Sequence, residues 1–131
     1  MYKAIFLSLS LIVSLFATDD FYYNGNKKIS LIKTTFANSN LREVSNTTYY
    51  KTPDNLILGV NDEIILKIKD KNMLKYLETK YGFTVIKELF SNTYLIKVTN
   101  KEETIQKAND LYLEETIEYA SPNFIKTINK R

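Results

Sequence analysis

The chain contains no cysteine, so neither a disulfide nor a cysteine-based metal site can hold its fold together. Its 131 residues are enough for one domain. Small exported domains often rely on disulfides because the core they can bury is limited. A chain without such links must depend on one modest hydrophobic core or on the stability that a partner protein provides.

Histidine is absent as well, which narrows the chemistry open to this chain. Ser-His-Asp and Cys-His catalysis need an imidazole that titrates near neutral pH, and zinc sites built from Cys and His are excluded too. A serine–lysine dyad or a carboxylate pair stays formally open, but the adjacent acids at 102–103 and 114–115 are interpreted as solvated charges. The sequence predicts a protein that is not an enzyme, with no catalytic residues, no cofactor and no metal.

Residues 1–17 have the pattern of a secretory signal peptide. Lys3 supplies the positive charge, residues 4–16 are apolar, and Ala17 is a small residue at a plausible cleavage point. The apolar run is shorter than the roughly 20 residues that a membrane-spanning helix needs. We expect an exported protein, periplasmic or extracellular, with no stable membrane anchor after cleavage; the alternative is an uncleaved N-terminal anchor.

The charge distribution argues against a nucleic-acid partner. The formal net charge is +3, and the lysines are scattered along the chain. Ten tyrosines and seven phenylalanines could in principle stack on bases, but the segment TYLIKV at 93–98 lacks the glycine and aromatic pattern of RNA-binding sheets. The sequence therefore predicts no nucleic-acid binding.

The first part of the exported chain predicts a β-hairpin followed by a connector. Asn24-Gly25 separates two apolar-rich runs, and this dipeptide favours tight hairpin turns because both residues tolerate positive φ. We predict an N-terminal β-hairpin within 18–33. Residues 34–56 are rich in Asn, Thr and Ser and predict a polar connector with little regular structure.

Residues 57–127 carry the pattern of an α+β domain. Strand-like alternation and helical spacing predict the order β-α-β-β-α-β, in which Asp70 and Asn100 cap the helices and Gly82 ends the first one. This order is typical of a ferredoxin-like antiparallel sheet with two helices on one face. The predicted strands are 62–69, 83–90, 93–98 and 116–128, the last one interrupted by Pro122, and residues 128–131 form a C-terminal tail.

Several segments in this order resemble the propeptides of subtilisin-like serine proteases. They are FYYNGNKKI at 21–29, LGVNDEIILKIK at 58–69, NTYLIKV at 92–98 and IEYASPNF at 117–124. The resemblance implies an intramolecular chaperone and inhibitor. It also implies that the helix-free sheet face packs on the protease and that the C-terminal tail lies in the active-site cleft like a product. A catalytic domain follows such propeptides in the family, whereas this sequence ends at Arg131.

The resemblance and the alternation together predict which residues meet the protease. Ile65, Leu95 and Tyr119 would form an apolar patch on the helix-free face, unless the N-terminal hairpin covers it. In the tail, Ile128 would occupy an apolar subsite and Arg131 would lie nearest the catalytic serine, with Asn129 and Lys130 between them. Two rival hypotheses are a free-standing periplasmic ferredoxin-like binding module and a truncated N-terminal fragment of a subtilisin-like protease.

Overall fold

A computed structural model describes residues 20–35 and 46–126. Within these ranges the chain is an α+β protein with two α-helices and two antiparallel sheets. The predicted signal peptide, 1–17, and the predicted tail residues Ile128, Asn129, Lys130 and Arg131 lie outside the described residues, as does part of the predicted connector.

The described elements follow one another in a simple order. They are β1 (Asp20–Asn24), β2 (Lys27–Thr34), β3 (Thr48–Lys51), β4 (Ile57–Val60), β5 (Glu63–Ile68), α1 (Leu74–Tyr81), β6 (Thr84–Phe90), β7 (Thr93–Lys97), α2 (Thr104–Tyr112), β8 (Ile117–Pro122) and β9 (Ile125–Lys126).

The four-stranded sheet has the order β6-β7-β5-β8, and every neighbouring pair is antiparallel. Successive side chains of a strand point to opposite faces, so the apolar residues at alternate positions of β5 and β7 reach the same side. Both helices cover that side and complete the core. The fully buried residues of this core include Ile64, Leu66, Ile68, Leu77, Ile96, Ala108 and Leu111.

The predicted N-terminal caps and the predicted end of α1 are confirmed, and a short 3₁₀ turn that we did not predict precedes each helix. Asp70 Oδ1 accepts a hydrogen bond from the backbone N of Asn72, at 3.0 Å, and Asn100 Oδ1 accepts from Glu102 N at 3.2 Å. Each cap opens a short 3₁₀ turn that leads into the α-helix. Gly82 ends α1 with φ of 71°, a conformation that glycine adopts without strain.

The five-stranded sheet, with the order β1-β2-β3-β4-β9, differs from the sequence prediction. The predicted hairpin is present as β1 and β2. However, β3 lies inside the segment that we predicted to be a polar connector, 34–56, and it pairs with both β2 and β4. The connector prediction is therefore wrong for Thr48–Lys51, where Tyr49 turns inward and is buried. The hairpin continues directly into a larger sheet.

The interruption at Pro122 that we predicted in the final strand, 116–128, is present, but the prediction that the chain continues in the same sheet is wrong. β8 ends at Pro122, which has no N–H to extend the ladder, and the chain then crosses to the other sheet. There β9 pairs with β4, with Ile125 opposite Gly59. The C-terminal end of the described chain thus belongs to the five-stranded sheet.

The two sheets meet at α2. Leu31, Leu58 and Val60 of the five-stranded sheet form a second buried cluster with Ile105 of α2. The edge strand β1 is held to the same helix, because Asn109 Nδ2 donates to the carbonyl oxygen of Phe21 at 2.9 Å. This contact gives a partner to an edge carbonyl that would otherwise be open to strand addition.

Replacing Ile96 by Val tests the core of the four-stranded sheet. Ile96 is 0% exposed, so losing one methyl group leaves a small void, and we expect the free energy of unfolding to fall by about 1 kcal/mol. Ile86, which is 44% exposed on β6, provides the matched control: Ile86→Val should change stability by less than about 0.5 kcal/mol. Urea denaturation of the three proteins measures both values, and equal losses would contradict this description of the core.

Candidate protein-binding surface

The helix-free face of the four-stranded sheet carries the three apolar residues that the alternation predicted. Ile65 of β5 lies directly opposite Leu95 of β7, and both alternate with residues of the buried core. On the other side of β5, Tyr119 of β8 pairs with Lys67, next but one to Ile65. Ile65 and Leu95 are partly exposed, and Tyr119 is 37% exposed. The structure therefore brings these residues together on one face.

Phe90 extends this surface, and sequence reasoning did not find it. It lies opposite Thr93, which alternates with Leu95, and its side chain is 70% exposed. The ladder between β6 and β7 shifts register between Val85 and Lys87 and again between Glu88 and Phe90. Such bulges break the period of two that assigns a residue to a face. We call Ile65, Phe90, Leu95 and Tyr119 the apolar patch.

Charged pairs border the apolar patch. Lys67 Nζ lies 3.5 Å from Glu118 Oε2, and Lys97 Nζ lies 3.5 Å from Asp62 Oδ2. Exposed pairs of this kind contribute little to stability. An apolar centre inside a charged, solvent-accessible rim is the usual anatomy of a protein–protein interface.

Within the described residues, the N-terminal hairpin packs on α2, and its strand β1 also lies beside β8, the strand that carries Tyr119. The ring of Tyr23 stacks on Tyr112 of α2, with 4.2 Å between centroids, and Lys28 Nζ lies 4.7 Å from the centre of the Phe21 ring. The tyrosine stack holds the hairpin against α2, which lies on the helix-covered side of the sheet, whereas the contact between Lys28 and Phe21 lies within the hairpin. In the apolar patch, Phe90 is 70% exposed and Tyr119 is 37% exposed.

A polar cleft lies between the five-stranded sheet and the start of α2. Its volume is about 220 Å³, and Val60 and Ile105 give it an apolar floor. Burial, and then the nearby carboxylates of Asp20 and Glu102, raise the pKa of Tyr50 above its ordinary value. Sequence reasoning did not find this cleft because its walls come from segments that are distant in the chain. The other lining residues are Lys33, Thr48, Lys101 and Gln106.

A cluster of three polar side chains joins the C-terminal ends of the two helices. Glu114 Oε1 accepts hydrogen bonds from Lys80 Nζ, at 2.7 Å, and from the Tyr81 hydroxyl. The hydrogen bond from Lys80 and then that from Tyr81 lower the pKa of Glu114, while burial and the bond to Glu114 raise the pKa of Tyr81 to about 12. The carboxylate is thus held ionised where it links α1 to the residues after α2.

Acid should remove the ionic part of this link. Because the folded-state pKa of Glu114 is lowered, its contribution is present above the ordinary pKa of about 4.3 and is lost as pH falls through the folded value. We expect Glu114→Gln to lower the midpoint of thermal unfolding at pH 7 and to match the wild type near pH 2. The same difference at both pH values would contradict an ionic role for Glu114.

Comparison of this chain with family models, curated proteins and solved structures finds no match. In the described ranges, no helix has the length and apolar character needed to cross a membrane. Those same residues also hold no group of acidic side chains arranged to bind a metal ion.

Proposed function

We propose that this chain is an exported protein that resembles a subtilase propeptide and binds a subtilisin-like serine protease as an inhibitor, a folding chaperone or both. We also assign the four-stranded sheet and its two helices to the ferredoxin-like fold. The strand order β6-β7-β5-β8, which places the first and third of these strands in the interior, supports that assignment. So do the motifs at 92–98 and 117–124, which lie in the same part of the chain, and most of the motif at 58–69.

The observation that carries the proposal is the exposed apolar patch on the helix-free face. A small domain normally uses the apolar face of a sheet for its own core, and an uncovered patch usually marks a contact site. Here the hairpin packs on α2, as the Tyr23–Tyr112 stack shows, and Phe90 and Tyr119 of the patch stay exposed. One sheet face of this size suits a standard interface, which buries roughly 800 Å² per partner.

Folding and binding are thermodynamically linked in the proposed complex of this protein with a protease. A partner that binds only the folded state stabilises it by about 4 kcal/mol when present at a thousand times its dissociation constant. A domain with a small core and no disulfide gains most from such a partner. The same free energy, acting on the protease, would favour the folded enzyme and account for a chaperone role.

The direct test is inhibition by the purified protein. Residues 18–131 are titrated against a subtilisin-like serine protease with a chromogenic peptide substrate, and an equal series uses a chymotrypsin-like protease. We expect saturable inhibition of the first enzyme only. A refolding assay with the acid-denatured subtilisin-like protease then separates the chaperone role from the inhibitor role. If the enzyme is neither slowed nor helped to refold, the proposal is wrong.

A second candidate function is that of a ferredoxin-like binding module for a small polar ligand. The cleft between the five-stranded sheet and α2 supports it, because charged side chains of both signs surround an apolar floor there. Small-molecule binding that perturbs the NMR signals of Val60 and Ile105, in a protein that leaves proteases unaffected, would favour this candidate over the first.

A further inference from the structure

The polar cleft between the five-stranded sheet and the start of α2 carries charges of both signs. Asp20 and Lys33 come from β1 and β2, and Lys101 and Glu102 come from the 3₁₀ turn that leads into α2. None of these four side chains forms an ion pair with another described residue. Two positive and two negative charges therefore line one cleft without neutralising each other by direct contact.

The strand register explains why the charges of the sheet reach the same cleft. Asp20 lies opposite Leu31 in the ladder between β1 and β2, and Lys33 is two residues beyond Leu31. Side chains two residues apart point to the same face, so Asp20 and Lys33 lie on the face that carries the buried Leu31. Lys33 in turn lies opposite Tyr50 of β3. The sheet thus presents a carboxylate, an ammonium group and a phenol hydroxyl on the side that faces α2.

The negative charges approach the Tyr50 hydroxyl from two walls of the cleft, Asp20 from the sheet and Glu102 from the turn before α2. Burial, and then these two carboxylates, raise the pKa of Tyr50, so the hydroxyl stays neutral and both carboxylates lie near enough to act on it. A hydroxyl and two carboxylates can all accept hydrogen bonds, and an ammonium group has three donors and no acceptor. This part of the cleft therefore has the chemistry that binds a primary ammonium group.

The remaining walls suit a carboxylate and an apolar group. Lys33 and Lys101 can each donate a charge-assisted hydrogen bond to a carboxylate. Val60 and Ile105 are both buried and form the apolar floor. The volume of about 220 Å³ is below the roughly 300–1,000 Å³ of pockets that take drug-sized ligands. The cleft therefore suits a ligand about as small as one amino acid, with both charges and a short apolar side chain.

We propose that this cleft binds a free α-amino acid with an apolar side chain. The ammonium group of the ligand binds the carboxylates beside Tyr50, its carboxylate binds the two lysines, and its side chain lies on the apolar floor. The inference rests on the second candidate function, the binding of a small polar ligand, and adds the chemical class of that ligand. It does not depend on protease binding, because the apolar patch lies on the helix-free face of the other sheet.

Three probes with different charges test the inference: L-leucine, leucinamide and N-acetyl-leucine. Each is titrated into the purified protein at about pH 6, where an α-amino group is protonated, while the NMR signals of Val60 and Ile105 are followed. Leucinamide lacks the carboxylate, and N-acetyl-leucine lacks the ammonium group. We expect saturable binding of leucine and about tenfold weaker binding of each analogue, because each analogue leaves one set of charges in the cleft without a partner.

Paired substitutions then show which charges are responsible. Lys33→Gln with Lys101→Gln should remove the preference for leucine over leucinamide and keep the preference over N-acetyl-leucine. Asp20→Asn with Glu102→Gln should have the reverse effect. A cleft that had only been damaged would lose both preferences together, so this crossed pattern separates ligand recognition from loss of structure.

Lys71→Gln with Lys75→Gln is the matched control. It removes the same two positive charges at exposed positions just before and within α1, outside the cleft, and should bind all three probes like the wild type. Equal affinity for leucine and either analogue would overturn the inference and leave the cleft as a site for another small ligand, and so would unchanged preferences in both paired variants. If none of the three probes shifts the signals of Val60 and Ile105, the second candidate function fails together with the inference.

Discussion

Leu95→Asp is expected to weaken inhibition of a subtilisin-like protease by about 100-fold, which corresponds to about 2.7 kcal/mol. Leu95 lies in an interior strand at the centre of the apolar patch, directly opposite Ile65. The residues that contribute most to binding cluster near the centre of protein interfaces, and a carboxylate there would be buried without a partner when the protease docks. The measurement is the inhibition constant with a chromogenic substrate.

Two further variants make this result interpretable. Phe90 is 70% exposed, so Phe90→Asp should weaken inhibition with little effect on the fold. Leu113 is 68% exposed just after α2, away from the helix-free face, and Leu113→Asp should inhibit like the wild type. Circular dichroism and thermal unfolding confirm that each variant is folded. Undiminished inhibition by folded Leu95→Asp would remove this face as the interface.

Removing residues 128–131 is expected to raise the inhibition constant about 10²- to 10⁴-fold. This range is typical of losing one of two linked contacts. The deletion takes away Ile128, Asn129, Lys130 and Arg131, the residues predicted to lie in the cleft like a product. The sheet face is untouched, so binding to a protease with a blocked cleft should persist. Inhibition constants and binding to the blocked enzyme are measured side by side.

The basic end of the tail can be tested separately. Lys130→Ser with Arg131→Ser keeps the length of the tail and removes its two positive charges. A protease that prefers basic residues should then be inhibited less, whereas one that prefers apolar residues should respond instead to Ile128→Ser. Full potency of the protein without residues 128–131 would refute the product-like role of the tail.

Part of the fold could be predicted from the sequence, because it depends on interactions between residues that are close together in the chain. Asp70 and Asn100 cap their turns, Gly82 ends α1 and Asn24-Gly25 turns the hairpin, all as predicted. Each of these depends on a local hydrogen bond or on the conformational freedom of one residue. The resemblance to subtilase propeptides and the role of the tail stay predictions.

The elements that were missed depend on partners distant in sequence. β3 has only four residues within a polar segment, and it becomes a strand because β2 and β4 pair with it on both sides. β9 has two residues, too few for any periodic signal, and it exists because Gly59 leaves room for Ile125. The sequence did not predict that Phe90 belongs to the apolar patch, because two bulges in β6 interrupt the alternation of side chains.

By itself, the sequence determined the chemical limits of this protein and the faces of its regular strands. Without histidine or cysteine, catalysis by these two residues and zinc sites built from them are excluded, and alternation assigns Ile65 and Leu95 to one side of a sheet. Only the tertiary structure decided that the hairpin packs on α2, that Phe90 and Tyr119 stay exposed and that the chain changes sheets after β8. Those outcomes depend on contacts between segments that are distant in the chain. Such contacts produce no periodic pattern in a single amino-acid sequence.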